Sequence, residues 1–341
     1  MVIKGTTVSD IPAIRRTWDP ERTRQYIASL PIWGGAEVEV KQHFGGLQNR
    51  TYFVTTPEGE KYAVRTGFDQ FRVRQPSVVN CTIAAHTLGL GPRLVYAEPN
   101  LTVVEWVNGQ GIGFEAMKEW QNQREVIDAM KVLHEGAWAI QETISYWWPF
   151  DSVRRYLKWM ETGRPETGFK PSALVHRVPE FRDITNRLEK VIAPYIPKFT
   201  HNDMVAVNIM VGPQGEIILI DWDGGAYGHP MFDLGEMLMW GEADDDRVEQ
   251  AVRYYYGDIS NQDLKQRMRE VHAFQVVSGI RLITETCDAL LDPYFHLTPD
   301  EVARSMQIIL PGQNAGFEGL IDVVTPIFEA NWAKYKHEFD G

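Results

Sequence analysis

An aspartate, an asparagine five positions on and a second aspartate beyond a short connection are the side chains of this sequence best suited to chemistry. They are Asp203, Asn208 and Asp221, set in His201-Asn202-Asp203-Met204-Val205-Ala206-Val207-Asn208 and the later Asp221-Trp222-Asp223. A carboxylate can orient a hydroxyl nucleophile and take its proton. A side-chain amide and one or two carboxylates suit the hard, oxygen-seeking Mg²⁺ ion. Together these are the parts that phosphoryl transfer requires. Ile209 to Val211 and Glu216 to Ile220 are β-rich runs joined by the turn Gly212-Pro213-Gln214-Gly215. A hairpin there returns the chain beside its start and brings the three residues together.

Taken singly, each of these residues is an ordinary turn former, and Asp221 and Asp223 also read as caps of a helix beginning near Pro230. Their joint occurrence around a hairpin of suitable length favours the functional reading. Asp203 is then the catalytic residue, Asn208 and Asp221 are metal ligands with Asp223 as an additional one, and His201 is a hydrogen-bonded scaffold residue. The protein-kinase arrangement has the same order: an Asp, an Asn five residues later, and an Asp after the returning strand.

At these positions the chain resembles the choline/ethanolamine kinase and aminoglycoside phosphotransferase superfamily, and bacterial choline-kinase-like proteins most. The superfamily's His-x-Asp-x4-Asn is matched by His201, Asp203 and Asn208, and its metal strand by Ile220-Asp221-Trp222-Asp223. The resemblance runs on to Phe232-Asp233-Leu234, where it implies that Asp233 anchors the following helix and the loop. It implies an α+β, two-lobed protein-kinase-like fold, with an antiparallel sheet plus helix in the small lobe and a mostly helical large lobe. It also implies that ATP and Mg²⁺ are used. A Gly-x4-Gly-Lys-(Ser/Thr) P-loop is absent from the sequence, which disfavours the P-loop kinases.

The elements that would position such a site follow upstream. Residues 37–40 and 51–54 alternate as strands around Phe44-Gly45-Gly46-Leu47-Gln48-Asn49, a loop whose glycines let backbone approach phosphate closely. Gly45, Gly46 and Asn49 are therefore nucleotide-binding candidates. The next strand, Lys61 to Arg65, places Arg65 where protein kinases carry a phosphate-pairing lysine, and a guanidinium can take that role bidentately. Residues 78–88 read as a helix, and 94–96 and 101–106 as strands. The segment from Glu105 to Val107 reads as the hinge whose backbone meets adenine. The kinase pattern also expects a Glu on the first helix as partner of the basic strand residue, but Phe68 to Leu88 holds none. The domain division expected is 1–107 for the nucleotide-binding lobe, with an N-terminal helix from Asp19 and Pro20, and 108–341 for the catalytic and substrate-binding lobe.

Composition narrows the partners. With 341 residues and 44% apolar content the chain can bury two cores. The first residues are interrupted by charges and Pro12, no apolar run has membrane-spanning length, and the two cysteines have no metal spacing. A soluble cytoplasmic enzyme, with no membrane attachment, is expected. The formal net charge of −12 argues against nucleic acid as a partner and suits a cationic small-molecule acceptor.

The aromatic content, 11 Trp, 13 Tyr and 15 Phe, points the same way, because a quaternary ammonium binds well to ring faces with a carboxylate nearby. Tyr227 and Trp240 are the candidates for that contact. Aminoglycosides need carboxylates spread along a cleft, for which Glu236, Glu242 and Asp244 to Asp246 are available, although three consecutive acids also suit a solvated helix start. An ATP-dependent kinase for choline, ethanolamine or a similar amino alcohol is thus expected first. The alternatives are an aminoglycoside or other small-metabolite phosphotransferase and a non-catalytic nucleotide-binding relative.

Overall fold

The structure is a computed structural model that describes residues 18–67, 74–163, 173–291 and 297–340. Asp69, a polar residue of the Phe68 to Leu88 stretch that could stand in for the missing Glu, and most of the turn-rich stretch 161–168 lie outside these ranges. The chain opens with α1 (Pro20–Ala28), capped by Asp19, whose carboxylate accepts the Arg22 N–H at 2.8 Å, with Pro20 leading the first turn. Strands β1 (Glu39–His43), β2 (Arg50–Thr55), β3 (Lys61–Thr66), β4 (Leu94–Glu98) and β5 (Leu101–Glu105) form one antiparallel sheet in the order β1-β2-β3-β5-β4. Alternation along β2 buries Tyr52 and Val54, which join Val64, Leu101 and Val103 against Ile27, Leu30 and Trp33. Helix α2 (Gln75–Thr87), between β3 and β4, turns Val78, Cys81, Ala84 and Ala85 toward the core of the other lobe.

The second lobe is mainly helical. Its helices are the short α3 (Phe114–Met117), then α4 (Trp120–Glu135), α5 (Pro149–Thr162), α6 (Val178–Glu189), α7 (Pro230–Trp240), α8 (Asp245–Tyr256), α9 (Asn261–Leu291), α10 (Pro299–Ile309) and α11 (Phe317–Tyr335). Helix α7 is buried on every side, as an apolar helix inside a lobe must be. Helix α9 is the spine, packed against α5, α6, α7, α8 and α11. Two small β units hold the middle of the chain: β6 (Gln110–Gly111) pairs with β8 (Ile209–Val211), which pairs with β9 (Ile217–Leu219), and β7 (Lys198–Thr200) pairs with β10 (Ala226–Gly228). The β8–β9 hairpin is the one the sequence requires. Gly109 lets the chain leaving β5 pass close to it, since a Cβ there would sit 2.7 Å from the Val211 carbonyl oxygen. The two-lobed kinase-like architecture is therefore present. Among the described residues no helix is long and apolar enough to cross a membrane.

Helix α10, late in the chain, reaches back to the sheet. Glu301 caps it in a capping box with Thr298 and receives Arg50 of β2 at 2.8 and 3.0 Å and Gln42 of β1 at 2.6 Å. Burial raises the Glu301 carboxyl, but Arg50, the Thr298 N–H and Gln42 together outweigh it and hold the group down at about 2, from an ordinary 4.5. A depressed carboxyl contributes stability above its unfolded value and loses it as pH falls toward the folded one. The protein should therefore lose stability between pH 4.5 and about 2, and Glu301→Gln should remove part of that dependence. Arg50→Met, which strands a buried carboxylate, should cost about 3–5 kcal/mol in urea unfolding at pH 7. A loss of only ~0–1 kcal/mol, typical of an exposed pair, would show that the contact does not hold α10 to the sheet.

Candidate active site

The loop after β7 cannot follow a sheet ladder, so its amides need other acceptors. Asp233, buried on α7, supplies them: its Oδ2 accepts the His201 N–H at 2.9 Å and its Oδ1 the Asn202 N–H at 2.7 Å. His134, at the end of α4, joins the same carboxylate through Nε2 at 3.1 Å and meets the Tyr255 hydroxyl through Nδ1 at 2.8 Å. Asn202 adopts φ +62°, a left-handed conformation that asparagine tolerates better than most residues. Its side chain donates to the Gly224 carbonyl at 2.9 Å. His201 is buried, bonded through Nε2 to the Ile220 carbonyl at 2.9 Å and packed on Trp222, which is the scaffold role expected of it. The same bond ties the loop to the end of the hairpin. Gly224 is required there, because a Cβ would lie 2.9 Å from the His201 carbonyl oxygen.

This frame brings Asp203, Asn208 and Asp221 to one cavity of about 500 Å³, along with Gly46, Asn49, Arg65, Asp223 and Trp240. Asn208 donates its amide nitrogen to the Asp203 carbonyl at 3.0 Å and to Asp203 Oδ2 at 2.8 Å. Its amide oxygen is thereby turned away from Asp203. Asp221, at φ +65°, directly follows the returning strand. Neither Asp221 nor Asp223 caps α7; His229 does, accepting the Met231 N–H at 3.1 Å. The Arg65 guanidinium spans Asp221 at 2.9 Å and Asp223 at 3.0 and 3.1 Å, and Asn49 donates to Asp223 at 2.5 Å. Arg65 thus has carboxylate partners on the large lobe, although α2 offers no Glu. Burial pushes the Asp203 carboxyl up to about 7 against the pull of Arg281, and pushes Asp223 up to about 6 against Arg65.

Other expected residues are placed differently. The Gly45 N–H donates to the Ser305 hydroxyl of α10 at 3.2 Å. Glu105 ends β5 with its N–H on the Arg93 carbonyl at 3.0 Å and its carboxylate on the Arg93 side chain at 2.6 Å. With Val107 it lines a separate, smaller cleft of about 330 Å³. Tyr227 packs against the large-lobe core, and its backbone bonds Ser145 and Trp147. Trp240, the other aromatic candidate, lines the cavity. Among the described residues no group of three or more His, Cys, Asp or Glu side chains is arranged to hold a metal ion. Mg²⁺ does not need one, since phosphate oxygens and water complete its shell. The Asn208 amide oxygen and the Asp221 carboxylate, with Asp223 beside them, are oxygen donors that fit it.

The profile of the phosphotransferase enzyme family (APH) matches residues 39–271, well over half of the chain. The chain belongs to that family. No curated protein matches it. Its fold is similar to that of choline kinase from Cryptosporidium parvum Iowa II, with 13% identity, 94% of this chain and 97% of the other covered, and a TM-score of 0.67. Choline kinase LicA from Streptococcus pneumoniae gives 18% identity, 91% and 98% coverage, and a TM-score of 0.64. The macrolide 2'-phosphotransferase MphH from Brachybacterium faecium gives 17% identity, 80% and 98% coverage, and a TM-score of 0.53. At these identities the likeness establishes the two-lobed fold, and the family match establishes a phosphotransferase.

Several cavity residues escape the sequence reading. Trp147, Trp148 and Tyr156 form part of its wall, and Arg74, Asp151, Arg155, Arg281 and Glu285 are its further charged residues. Trp147 and Trp148 stand out only as aromatics of the large lobe. Arg281 and Glu285 sit four apart on α9, a spacing that marks one helix face but does not say what the face meets. Asp233→Ala removes the acceptor of two buried loop amides and should cost at least about 2–3 kcal/mol in urea unfolding. Unaltered unfolding would show that the loop does not depend on that carboxylate.

Proposed function

We propose that this phosphotransferase is an ATP- and Mg²⁺-dependent small-molecule kinase whose acceptor is the hydroxyl of choline, ethanolamine or a similar amino alcohol. The observation that carries the reading is a single cavity shared by Asp203, Asn208 and Asp221 with Trp147, Trp148, Tyr156 and Trp240, with Asp151 on the same wall. Aromatic faces near carboxylates attract a cation that has few or no protons to donate. The LicA kinase, of similar fold, is also known in complex with AMP, which supports a nucleotide in the corresponding cleft here.

Asp203 orients the acceptor hydroxyl in line with the γ-phosphorus and takes its proton as the new O–P bond forms and the bond to the β–γ bridging oxygen breaks, releasing ADP. Arg65 exchanges part of its pairing with Asp221 and Asp223 for phosphate oxygens. Gly45 and Gly46 bring their loop over the phosphates, and Asn49 keeps Asp223 in place. The chain between Glu105 and Val107 is the backbone offered to adenine. Asn208 and Asp221, with Asp223, would hold Mg²⁺, which would neutralise charge on the triphosphate. Positioning and electrostatics supply most of the rate.

An aminoglycoside acceptor is less well served. Asp244 caps α8, Asp245 pairs with Lys334, Glu242 with Lys118, and Glu236 is buried on Arg281, so the acids that would meet several ammonium groups are engaged elsewhere. A non-catalytic relative has no need to keep Asp203, Asn208 and Asp221 in one cavity.

The test is ADP release from Mg·ATP across choline, ethanolamine, related amino alcohols, simple sugars and aminoglycosides. Acceptor-dependent turnover should appear with an amino alcohol and fall at least ~100-fold in Asp203→Asn, the scale of a lost general base. Turnover only with aminoglycosides, or unimpaired turnover in Asp203→Asn, would overturn the acceptor class or the role of Asp203 respectively. Asp221→Ala should weaken Mg·ATP binding by calorimetry; unchanged affinity would remove Asp221 from the metal site.

A further inference from the structure

The glycine-rich loop does not stand free over the cavity. Leu47 at its tip packs with Ala289, Leu297, Val302, Met306 and Phe317, a small apolar cluster built by α9, α10, α11 and the segment leading into α10. Gly45 is bonded to Ser305 of α10, and the Arg304 guanidinium lies 5.2 Å from the Phe44 ring centre. The next residue after Leu47, Gln48, donates to Glu285 Oε1 of α9 at 3.0 Å. Glu285 Oε2 receives Arg281 Nη1 at 3.1 Å, and Arg281 Nη2 reaches Asp203 Oδ1 at 3.1 Å and Glu236 Oε1 at 2.6 Å. A continuous chain of charge-assisted hydrogen bonds therefore runs from the nucleotide loop to the catalytic carboxylate.

Each part of the chain has a physical reason. Arg281 and Glu285, four apart on α9, lie on one face of the helix, which looks into the cavity. Ser278, one turn earlier, donates to Glu236 at 2.7 Å, and Glu236 in turn accepts the Met204 N–H at 2.8 Å. Buried Glu236 thus fixes Arg281 against the residue that follows Asp203. One guanidinium faces three carboxylates, so its hold on any one depends on where the other two stand. Asp203 is gripped on Oδ1 by Arg281 and on Oδ2 by Asn208, which sets the plane of its carboxylate. Glu236 is immobilised in the core, while Glu285 also answers to Gln48 on a loop that must admit a triphosphate.

We infer that Arg281 is the positioning residue of the Asp203 carboxylate, and that Gln48 and Glu285 link its grip to the seating of nucleotide under the glycine-rich loop. The inference rests on the kinase reading above. It goes beyond it by giving the acceptor side of the site a dependence on the nucleotide side that runs through α9.

The experiment compares Arg281→Lys, Glu285→Gln, Gln48→Leu and the Gln48→Leu/Glu285→Gln pair, each first checked for a native thermal transition. Nucleotide binding is measured by Mg·ADP calorimetry. Hydrogen exchange at amides 203–208, read with and without Mg·ADP, needs no acceptor and no turnover. In the unmodified protein Mg·ADP should slow exchange at 203–208, and in Gln48→Leu and Glu285→Gln that slowing should be lost while Mg·ADP still binds within about threefold. Where the acceptor panel gives turnover, Arg281→Lys should lower kcat at least tenfold with KM for Mg·ATP nearly unchanged. The double variant should be no worse than Glu285→Gln alone, as expected of residues in one chain. Equal slowing in all proteins, or losses that multiply, would overturn the link while leaving the kinase reading in place. An unmodified protein that binds no Mg·ADP would overturn the kinase reading, and this inference with it.

Discussion

The Asp233 carboxylate is the constraint on which the site depends. A buried carboxylate is tolerated only when its lone pairs are met by donors, and here the donors are the amides of His201 and Asn202 and the ring of His134. Because those amides belong to an irregular loop, satisfying Asp233 and shaping the loop are one event. The loop is hung from buried α7, and through His134 from the inner face of α4, so Asp203 inherits the rigidity of two packed helices. His201 then extends the frame to the hairpin end at Ile220, and Gly224 closes it by allowing contact without a side chain.

Two arginines organise the charges on this frame. Arg65 crosses from the sheet to Asp221 and Asp223, and Arg281 crosses from α9 to Asp203, Glu236 and Glu285. Both are largely buried, and desolvation opposes both, yet the surrounding carboxylates raise the two guanidinium groups well above their ordinary range. Ion pairs of this kind contribute little net stability, because desolvation offsets much of their attraction. Their value lies in geometry: each guanidinium fixes the direction of the carboxylates it faces. The Arg50–Glu301 pair does the same at longer range, holding α10 and with it the support of the glycine-rich loop.

Much of this was legible in the residues. The convergence of Asp203, Asn208 and Asp221 on one cavity was readable from their spacing around a hairpin, since the turn residues Gly212 to Gly215 and the flanking β-rich runs admit few other paths. Alternation in β2 and β3 and the capping of α1 by Asp19 and Pro20 were likewise readable, because they are local. What was not legible was long-range. Tyr227, chosen for its place after the metal strand, is half-buried against the large-lobe core and does not line the cavity. A residue's position after a motif does not determine which way β10 faces.

The sequence by itself determined the phosphotransferase family and the architecture, because motif spacing, strand period and helix caps are encoded within a few residues of one another. Only the tertiary structure decided the partners. The missing helix Glu gave no hint that Arg65 would take Asp221 and Asp223, 156 and 158 positions away, as partners. Nor did the Arg281–Glu285 spacing reveal that this face of α9 meets Asp203 on one side and Gln48 on the other. Such pairings depend on how the lobes and the last three helices close around the cavity, and no local period or propensity records that.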